Sequence, residues 1–406
     1  MGKRILKLIT RFVGNKCVVF DGSRVYYWNI PMIILPLDAL SFLQKELELR
    51  FGKKARDTIF YLGKLQGLNG SNILIQKFNF IPDVKDMSFF LEQTEFVGVG
   101  KLSTVLDDLK NSHMVFSVVS PNAKSYIANF GKINHPICDY VRGLYAGGIE
   151  AIANVAVKND ESLIAIETKC VAKGDDVCII EIRKSSKWKK SEVNHDYPLD
   201  IPAIAEARKL ETLAKLVRVY AKPFKDPDTL LNSFLKSKNL KRPFTFGEEG
   251  NIDLIGADSL ITPIDIIVLL YHIFENKAKD IFYDTGIFLG KSSTARLVSK
   301  YSLDTGRADI QRMLFDQIGL FGLGKIELVR SNTEKYEYTF YLYNSPGDHY
   351  KDLLGTSKNI KADYLVAGIL SGILEGIYQK KFETIEQNCV VSGSTYCIFS
   401  SKKIGK

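Results

Sequence analysis

The sequence predicts an α/β protein made of two homologous domains, and three observations predict it. The motif Cys-x3-Gly-x3-Cys occurs twice, at Cys170, Gly174 and Cys178 and again at Cys389, Gly393 and Cys397. Each copy reads Glu-x2-Cys-x3-Gly-x3-Cys-Ile with apolar residues flanking the glycine, which is how two short strands meet at a turn that needs a permissive backbone. Further landmarks recur in the same order at offsets of 219 to 227 residues. Such a period is of domain size and too long for a solenoid unit.

The landmarks begin with Pro36-Leu37-Asp38 and Pro263-Ile264-Asp265, each opening a strongly apolar stretch, LDALSFLQKEL and IDIIVLLYHIF. Ile59-Phe60-Tyr61 matches Ile281-Phe282-Tyr283, and Gly63 and Gly67 match Gly286 and Gly290. Gly100-Lys101 then answers to Gly324-Lys325, Ser120-Pro121 to Ser345-Pro346, and Asp139-Tyr140 to Asp363-Tyr364. Asn134 to Tyr140 reads as a helix start, with Pro136 tolerated in the first turn and VRGLYAGGIEAIANV running on from it. Gly143 and Gly147, four apart, suit a close approach of this helix to a sheet; Ala367 and Ser371 take those places in the second copy, and Gly148 is matched by Gly372. That docking would carry Cys138, at the helix start, toward the hairpin.

Between the copies lies a basic connector. Residues 183–243 hold 15 Lys and Arg against 7 Asp and Glu, a balance of +8 in a chain whose total is +9, so the two domains are nearly neutral. A helix is expected there from about Ile204 to Tyr220, with Ile204, Ala207, Leu210, Ala214, Val217 and Ala221 near one face and Pro223 closing it. The expected domains are 1–184 and 244–406, joined by a connector at 185–243.

With 406 residues, 46% apolar and 25% charged, the chain can bury two cores and has no disordered character. Its longest apolar runs fall short of the roughly 20 residues a membrane span needs, and no export signal is evident, so the expected location is the cytoplasm. Six cysteines are too few for a secreted disulfide scaffold, and their paired spacing points to a metal or a redox pair. Cys17, in the strand-like KCVVF, reads as a small core residue.

Cys138, Cys170 and Cys178 would converge in the first domain, and with one more ligand they would make a closed tetrahedral zinc site of the structural kind. His113, His135, Asp139 and Glu167 are the candidates for the fourth ligand. In the second domain Ala362 stands in place of Cys138, leaving Cys389 and Cys397 as a reduced buried pair, a disulfide or part of a metal site.

The glycine-rich helix followed by Glu-Thr-Lys-Cys-x3-Gly-Asp-Asp-Val-Cys resembles the 4-vinyl-reductase domain family, and Glu-Gln-Asn-Cys-x3-Gly-Ser-Thr-Tyr-Cys is a more diverged version. The match covers Pro136 to Arg183 and Asp363 to Ser400, in tandem. The resemblance implies compact α/β domains, each an antiparallel sheet packed with helices, related to vesicle-tethering subunits and heme-type gas sensors and enclosing an apolar pocket. Members of the family sense aromatic hydrocarbons in front of bacterial transcription activators. It also implies zinc bound by Cys138, Cys170 and Cys178 together with a glutamate, a position the motif alone does not locate in this chain. Residues in or near the segments facing such a pocket are Phe116, Tyr126, Tyr140 and Tyr145 in the first domain and Phe340, Tyr350 and Tyr364 in the second.

Machinery for hydride transfer is missing from the sequence, which has no Gly-x-Gly-x2-Gly after a strand. Gly286 to Ser292 comes near a phosphate loop but has three residues between its glycines where four are needed. His113, His135, His195, His272 and His349 show no metal-ligand spacing among themselves, and neither nucleotide nor heme is expected, although His272 in LLYHIFEN could face a heme. The reading is a non-enzymatic protein that binds or senses an apolar small molecule, carries zinc in its first domain, and forms a dimer or meets a protein partner. The alternatives are an interaction scaffold, or a regulator touching nucleic acid through residues 183–243, where Lys187, Trp188, Lys189 and Lys190 set an aromatic among cations.

Overall fold

The computed structural model describes residues 18–20, 24–27, 30–78, 94–95, 97–188, 244–246, 252–357 and 360–405. Cys17, His195, Lys189, Lys190 and the helix expected near Ile204 to Tyr220 lie outside the described residues. In chain order the elements of the first half are β1 (Val18–Phe20), β2 (Val25–Tyr27), β3 (Ile30–Pro36), α1 (Leu37–Phe51), α2 (Lys53–Phe78), β4 (Lys101–Asp108), β5 (His113–Val119), α3 (Pro121–Phe130), α4 (Asp139–Ala156), β6 (Leu163–Lys169) and β7 (Cys178–Lys184). The second half continues with β8 (Phe244–Phe246), β9 (Ile252–Leu254), β10 (Asp258–Pro263), α5 (Ile264–Phe274), α6 (Lys279–Tyr301), α7 (Ala308–Phe315), α8 (Gln317–Leu320), β11 (Lys325–Asn332), β12 (Glu337–Tyr343), α9 (Pro346–Leu354), α10 (Tyr364–Tyr378), β13 (Phe382–Asn388) and β14 (Cys397–Lys403).

The protein is α/β in class, with antiparallel sheets packed by helices. By packing it divides into two compact units, one built on residues 44–188 and the other on 18–43 with 253–405. In the first unit a four-stranded sheet runs β4-β5-β7-β6, and in the second an equivalent sheet runs β11-β12-β14-β13. Every neighbouring pair in both is antiparallel. Strand alternation selects the inward side chains. Met114, Phe116 and Val118 of β5 are buried with Cys178, Ile180 and Ile182 of β7, and Tyr338, Phe340 and Leu342 of β12 with Cys397 and Phe399 of β14. The second cysteine of each motif is therefore the first core position of its strand.

The small face of α4 packs against a helix, which corrects the expectation of a sheet. A methyl added at Gly143 would lie 2.0 Å from the Phe60 carbonyl oxygen of α2, and one at Gly147 would lie 1.9 Å from that of Lys64. Gly63 and Gly67 meet the Tyr140 and Leu144 carbonyls in return, at 2.3 and 2.0 Å. Only glycine lets the two backbones come this near. In the second unit α6 and α10 repeat the contact through Gly286, Gly290, Gly368 and Gly372, so Gly368 and not Ala367 or Ser371 carries the close approach. Gly286 to Ser292, which resembles a phosphate loop, is thus helix interior.

Within the second unit β3 pairs antiparallel with β10, matching Ile34 to Ile261, Pro36 to Ser259 and Met32 to Pro263. Ile34 and Ile261 are repeat equivalents at the same offset as Pro36 and Pro263, so the register is two-fold symmetric in sequence. Every residue of β3 is buried. Helices α1 and α5 follow these strands directly, and each carries an acid in its first turn, Asp38 and Asp265, where the helix dipole favours a negative charge.

Candidate metal centres

Each hairpin positions its cysteines by the same local devices. Strand β6 ends at Lys169, Cys170 follows, a single 3-10 turn spans Val171–Lys173, and Gly174 closes it at φ +105°; Gly393 repeats this at φ +102°. The left-handed backbone there is the reason for glycine midway between the cysteines. A bulge between Glu167 and Lys169 inserts one residue into β6, and a bulge between Glu386 and Asn388 does so in β13. One extra residue reverses the strand's alternation, so Glu167 and Cys170, three apart, turn to the same side.

The fourth member of the first cluster is Glu167. Ligand atoms of Cys138, Glu167, Cys170 and Cys178 all lie within 4.8 Å of one another, and all four residues are buried. Cys138 sits just before α4, which starts at Asp139 with Pro136 outside it, and the Cys138 amide donates to Glu167 Oε2 at 3.0 Å. The Cys138 and Cys178 sulfurs are 3.8 Å apart. A tetrahedron with ligands about 2.3 Å from its centre has edges of about 3.8 Å, so the spacing fits a metal–thiolate site. The Val171 amide donates to Cys178 Sγ at 3.4 Å, and Ser120 Oγ lies 3.4 Å from Cys138 Sγ, contacts that favour thiolate.

The electrostatics of the cluster call for a cation. Burial, then the Cys170 charge, pushes the Glu167 carboxyl well above the usual carboxylate range. Hydrogen bonds from Cys138 and Cys178 hold Cys170 far below an ordinary thiol, while the bond to Cys170 drives Cys138 up. Four anionic donors in one dry site ionise together only when a positive ion joins them.

Of the other candidates for the fourth ligand, none points here. His113 Nε2 lies 2.7 Å from Glu181 Oε1, His135 Nε2 lies 3.4 Å from Glu48 Oε2, and Asp139 Oδ1 accepts from Arg142 at 2.7 Å. The Arg142 guanidinium also donates to the Ala165 carbonyl and lies over the Phe60 ring.

A second cluster occupies the equivalent place in the other unit. Asp363, Glu386, Cys389 and Cys397 bring ligand atoms within 4.8 Å of one another, all buried. Asp363 and Glu386 escape a motif reading that counts sulfurs, although Glu-x2-Cys in both copies carries the glutamate. The Cys397 thiol donates to Asp363 Oδ2 at 2.9 Å and its sulfur is 4.0 Å from that of Cys389. Both clusters could hold a metal.

The aromatic residues expected to face a pocket make packing contacts within their own units. Phe116 and Tyr145 face each other with ring centroids 5.8 Å apart, Tyr126 packs edge-on against Phe130, and Tyr140 donates to Gln66. Tyr350 and Tyr364 both meet Tyr271, and Phe340 contacts Phe315 and Tyr338. His272 Nδ1 lies 3.1 Å from the Tyr350 hydroxyl. No helix among the described residues is long and apolar enough to cross a membrane.

No family model matches the chain. The phenol regulator MopR of Acinetobacter guillouiae is 23% identical over 186 residues, covering 43% of this chain and 32% of that protein. The chain thus spans about a third of the length of this curated relative. Among solved structures, the phenol-responsive sensory domain of the transcription activator PoxR with phenol matches at TM-score 0.40 and 19% identity, over 46% of this chain and 93% of that one. A trafficking protein particle complex subunit 3 from Naegleria fowleri, covalently bound to palmitic acid, matches at TM-score 0.27 and 15% identity, over 35% and 90%. A vinyl-4-reductase family protein from Methanocaldococcus jannaschii matches at TM-score 0.25 and 23% identity, over 36% and 83%.

Proposed function

We propose that the protein binds or senses an apolar small molecule, is not an enzyme, and holds a structural zinc ion in its first unit through Cys138, Glu167, Cys170 and Cys178. The observation that carries the reading is the buried three-sulfur, one-carboxylate cluster in a chain related in sequence to a phenol regulator. Zinc fits the donor set, because thiolates select it over magnesium or calcium and a closed four-donor site leaves no position for catalysis. Bound there, the ion would pin the start of α4 to the β6–β7 hairpin, while farther along α4 Tyr145 faces Phe116 of β5, the strand that pairs with β7.

The reading takes the chain as two copies of one domain, at 1–184 and 244–406, with the basic segment at 185–243 between them. Calorimetric titration of the zinc-loaded protein with phenol and larger aromatic hydrocarbons tests it. Saturable binding with a negative heat-capacity change is expected. Absence of binding across the series would end the sensing proposal.

A further inference from the structure

We infer that the second unit holds a divalent metal ion of its own, of the zinc class, bound by Asp363, Glu386, Cys389 and Cys397 through two sulfurs and two carboxylate oxygens. The inference goes beyond the reading above and does not depend on a small-molecule ligand or on metal in the first unit.

Two substitutions between the copies account for the donor set together. Ala362 occupies the place of Cys138, which removes one sulfur. Val366 occupies the place of Arg142, which removes the cation that ties down the aspartate of the first copy. Asp363, released from that ion pair, turns to the sulfurs: Oδ2 meets Cys397 while Oδ1 accepts from the Gly347 amide at 2.9 Å. The lost thiolate is thereby replaced by a carboxylate from the next residue along the chain.

The rest of the cluster has the form of a binding site. Relative exposure is 0% for Asp363, 3% for Glu386, 1% for Cys389 and 0% for Cys397. Among the described residues no hydrogen bond reaches Glu386 Oε1, which is fully enclosed. Among the described residues neither carboxyl is paired with a lysine or arginine; Lys361 reaches the Glu386 backbone carbonyl instead. Two buried carboxyls without a counter-ion are costly, and a cation between them removes the cost. The Val390 amide donates to Cys397 Sγ at 3.4 Å and Ser345 Oγ lies 3.6 Å from it, as Val171 and Ser120 serve the first cluster.

Two thiolates keep the site selective for zinc-class ions over magnesium and calcium, while the second carboxylate makes it harder than its counterpart. The second ion should therefore leave first when a chelator competes.

The test uses the full chain, stripped with a chelator, reloaded with Zn2+ or Co2+ and counted by native mass spectrometry. Two ions per chain are expected for the unaltered protein. One is expected for Cys389→Ser with Cys397→Ser, and one for Cys170→Ser with Cys178→Ser. The near-isosteric Asp363→Asn, checked for folding by circular dichroism, should bind the second ion at least about tenfold more weakly. Thiolate-to-cobalt charge-transfer absorption of the ion remaining in the Cys170→Ser, Cys178→Ser protein should be weaker than that remaining in the Cys389→Ser, Cys397→Ser protein, since two sulfurs contribute in place of three. A single ion per unaltered chain, kept in the Cys389→Ser, Cys397→Ser protein and lost from the Cys170→Ser, Cys178→Ser protein, would overturn the second site and leave the first intact. A single ion per unaltered chain, kept in the Cys170→Ser, Cys178→Ser protein and lost from the Cys389→Ser, Cys397→Ser protein, would do the reverse. Two ions with affinity unchanged in Asp363→Asn would overturn the donor set.

Discussion

Cys138 Sγ lies 3.8 Å from Cys178 Sγ although 40 residues separate them in the chain. The contact joins the start of α4 to the first inward position of β7, so a metal at this point would tie together two elements far apart in the chain. Structural zinc sites contribute about 10 to 16 kcal/mol in small domains. Cys138→Ser or Cys170→Ser should remove the first-site ion and lower the thermal midpoint, and chelation of the unaltered protein should do the same. Calorimetric scans with and without chelator check this, and a midpoint indifferent to both treatments would rule out a structural metal.

The helix pair α2–α4 makes opposite predictions at two glycines. Gly143→Ala places a methyl 2.0 Å from the Phe60 carbonyl oxygen, a backbone atom that cannot rotate away, and should destabilise by about 2 to 3 kcal/mol. Gly70→Ala, in the same helix as Phe60 with nothing within 4 Å of the added methyl, should stabilise by up to about 1 kcal/mol. Denaturant unfolding of the two variants reads both signs.

Asp139 and Arg142 form a buried ion pair, 2.7 Å between Oδ1 and the guanidinium, each side chain 3% exposed. Arg142→Met leaves a buried carboxylate without its cation and should cost about 3 to 5 kcal/mol. Adding Asp139→Asn should recover part of that loss, because it removes the stranded charge. A double-mutant cycle in urea measures the coupling, and additive costs would show that the pair is not coupled.

His349 is almost wholly enclosed, and burial, followed by the nearby Arg24 charge, pulls it from 6.5 to about 3. The folded protein keeps it neutral while the unfolded chain takes up a proton below pH 6.5, so stability falls as pH drops through that value toward 3. Between pH 7 and pH 5 the loss is about 2 kcal/mol. Asp265, whose Oδ1 is 3.8 Å from His349 Nδ1 and which burial raises to about 6, works in the opposite direction. It is present with and without the histidine, so comparison with His349→Gln isolates the histidine's share. The variant should lose about 2 kcal/mol less over that interval, and parallel pH profiles would refute the assignment.

Much of the architecture is legible in residue spacing. The turn glycines Gly174 and Gly393, the alternation that buries Cys178 and Cys397, and the equivalence of Ser120-Pro121 with Ser345-Pro346 all rest on patterns within a few residues. The partner of the small helix face was less legible: Gly143 and Gly147 announce a close approach, and a sheet and a second helix present the same need for missing side chains. The match of Gly63 and Gly67 with Gly286 and Gly290 carried that information, since glycines spaced four apart on two helices belong to one contact.

Local patterns were enough to read an α/β chain with a sulfur pair in each hairpin, because turn and strand geometry depend on neighbours in sequence. The completion of each cluster needed the folded chain. Glu167 joins the sulfurs because a bulge reverses its strand and the Cys138 amide, 29 residues away, holds its carboxylate. Asp363 meets Cys397 while Asp139 meets Arg142, because Val366 stands in α10 where α4 has Arg142, and which partner a carboxylate reaches is settled by three-dimensional distances that spacing along the chain does not encode.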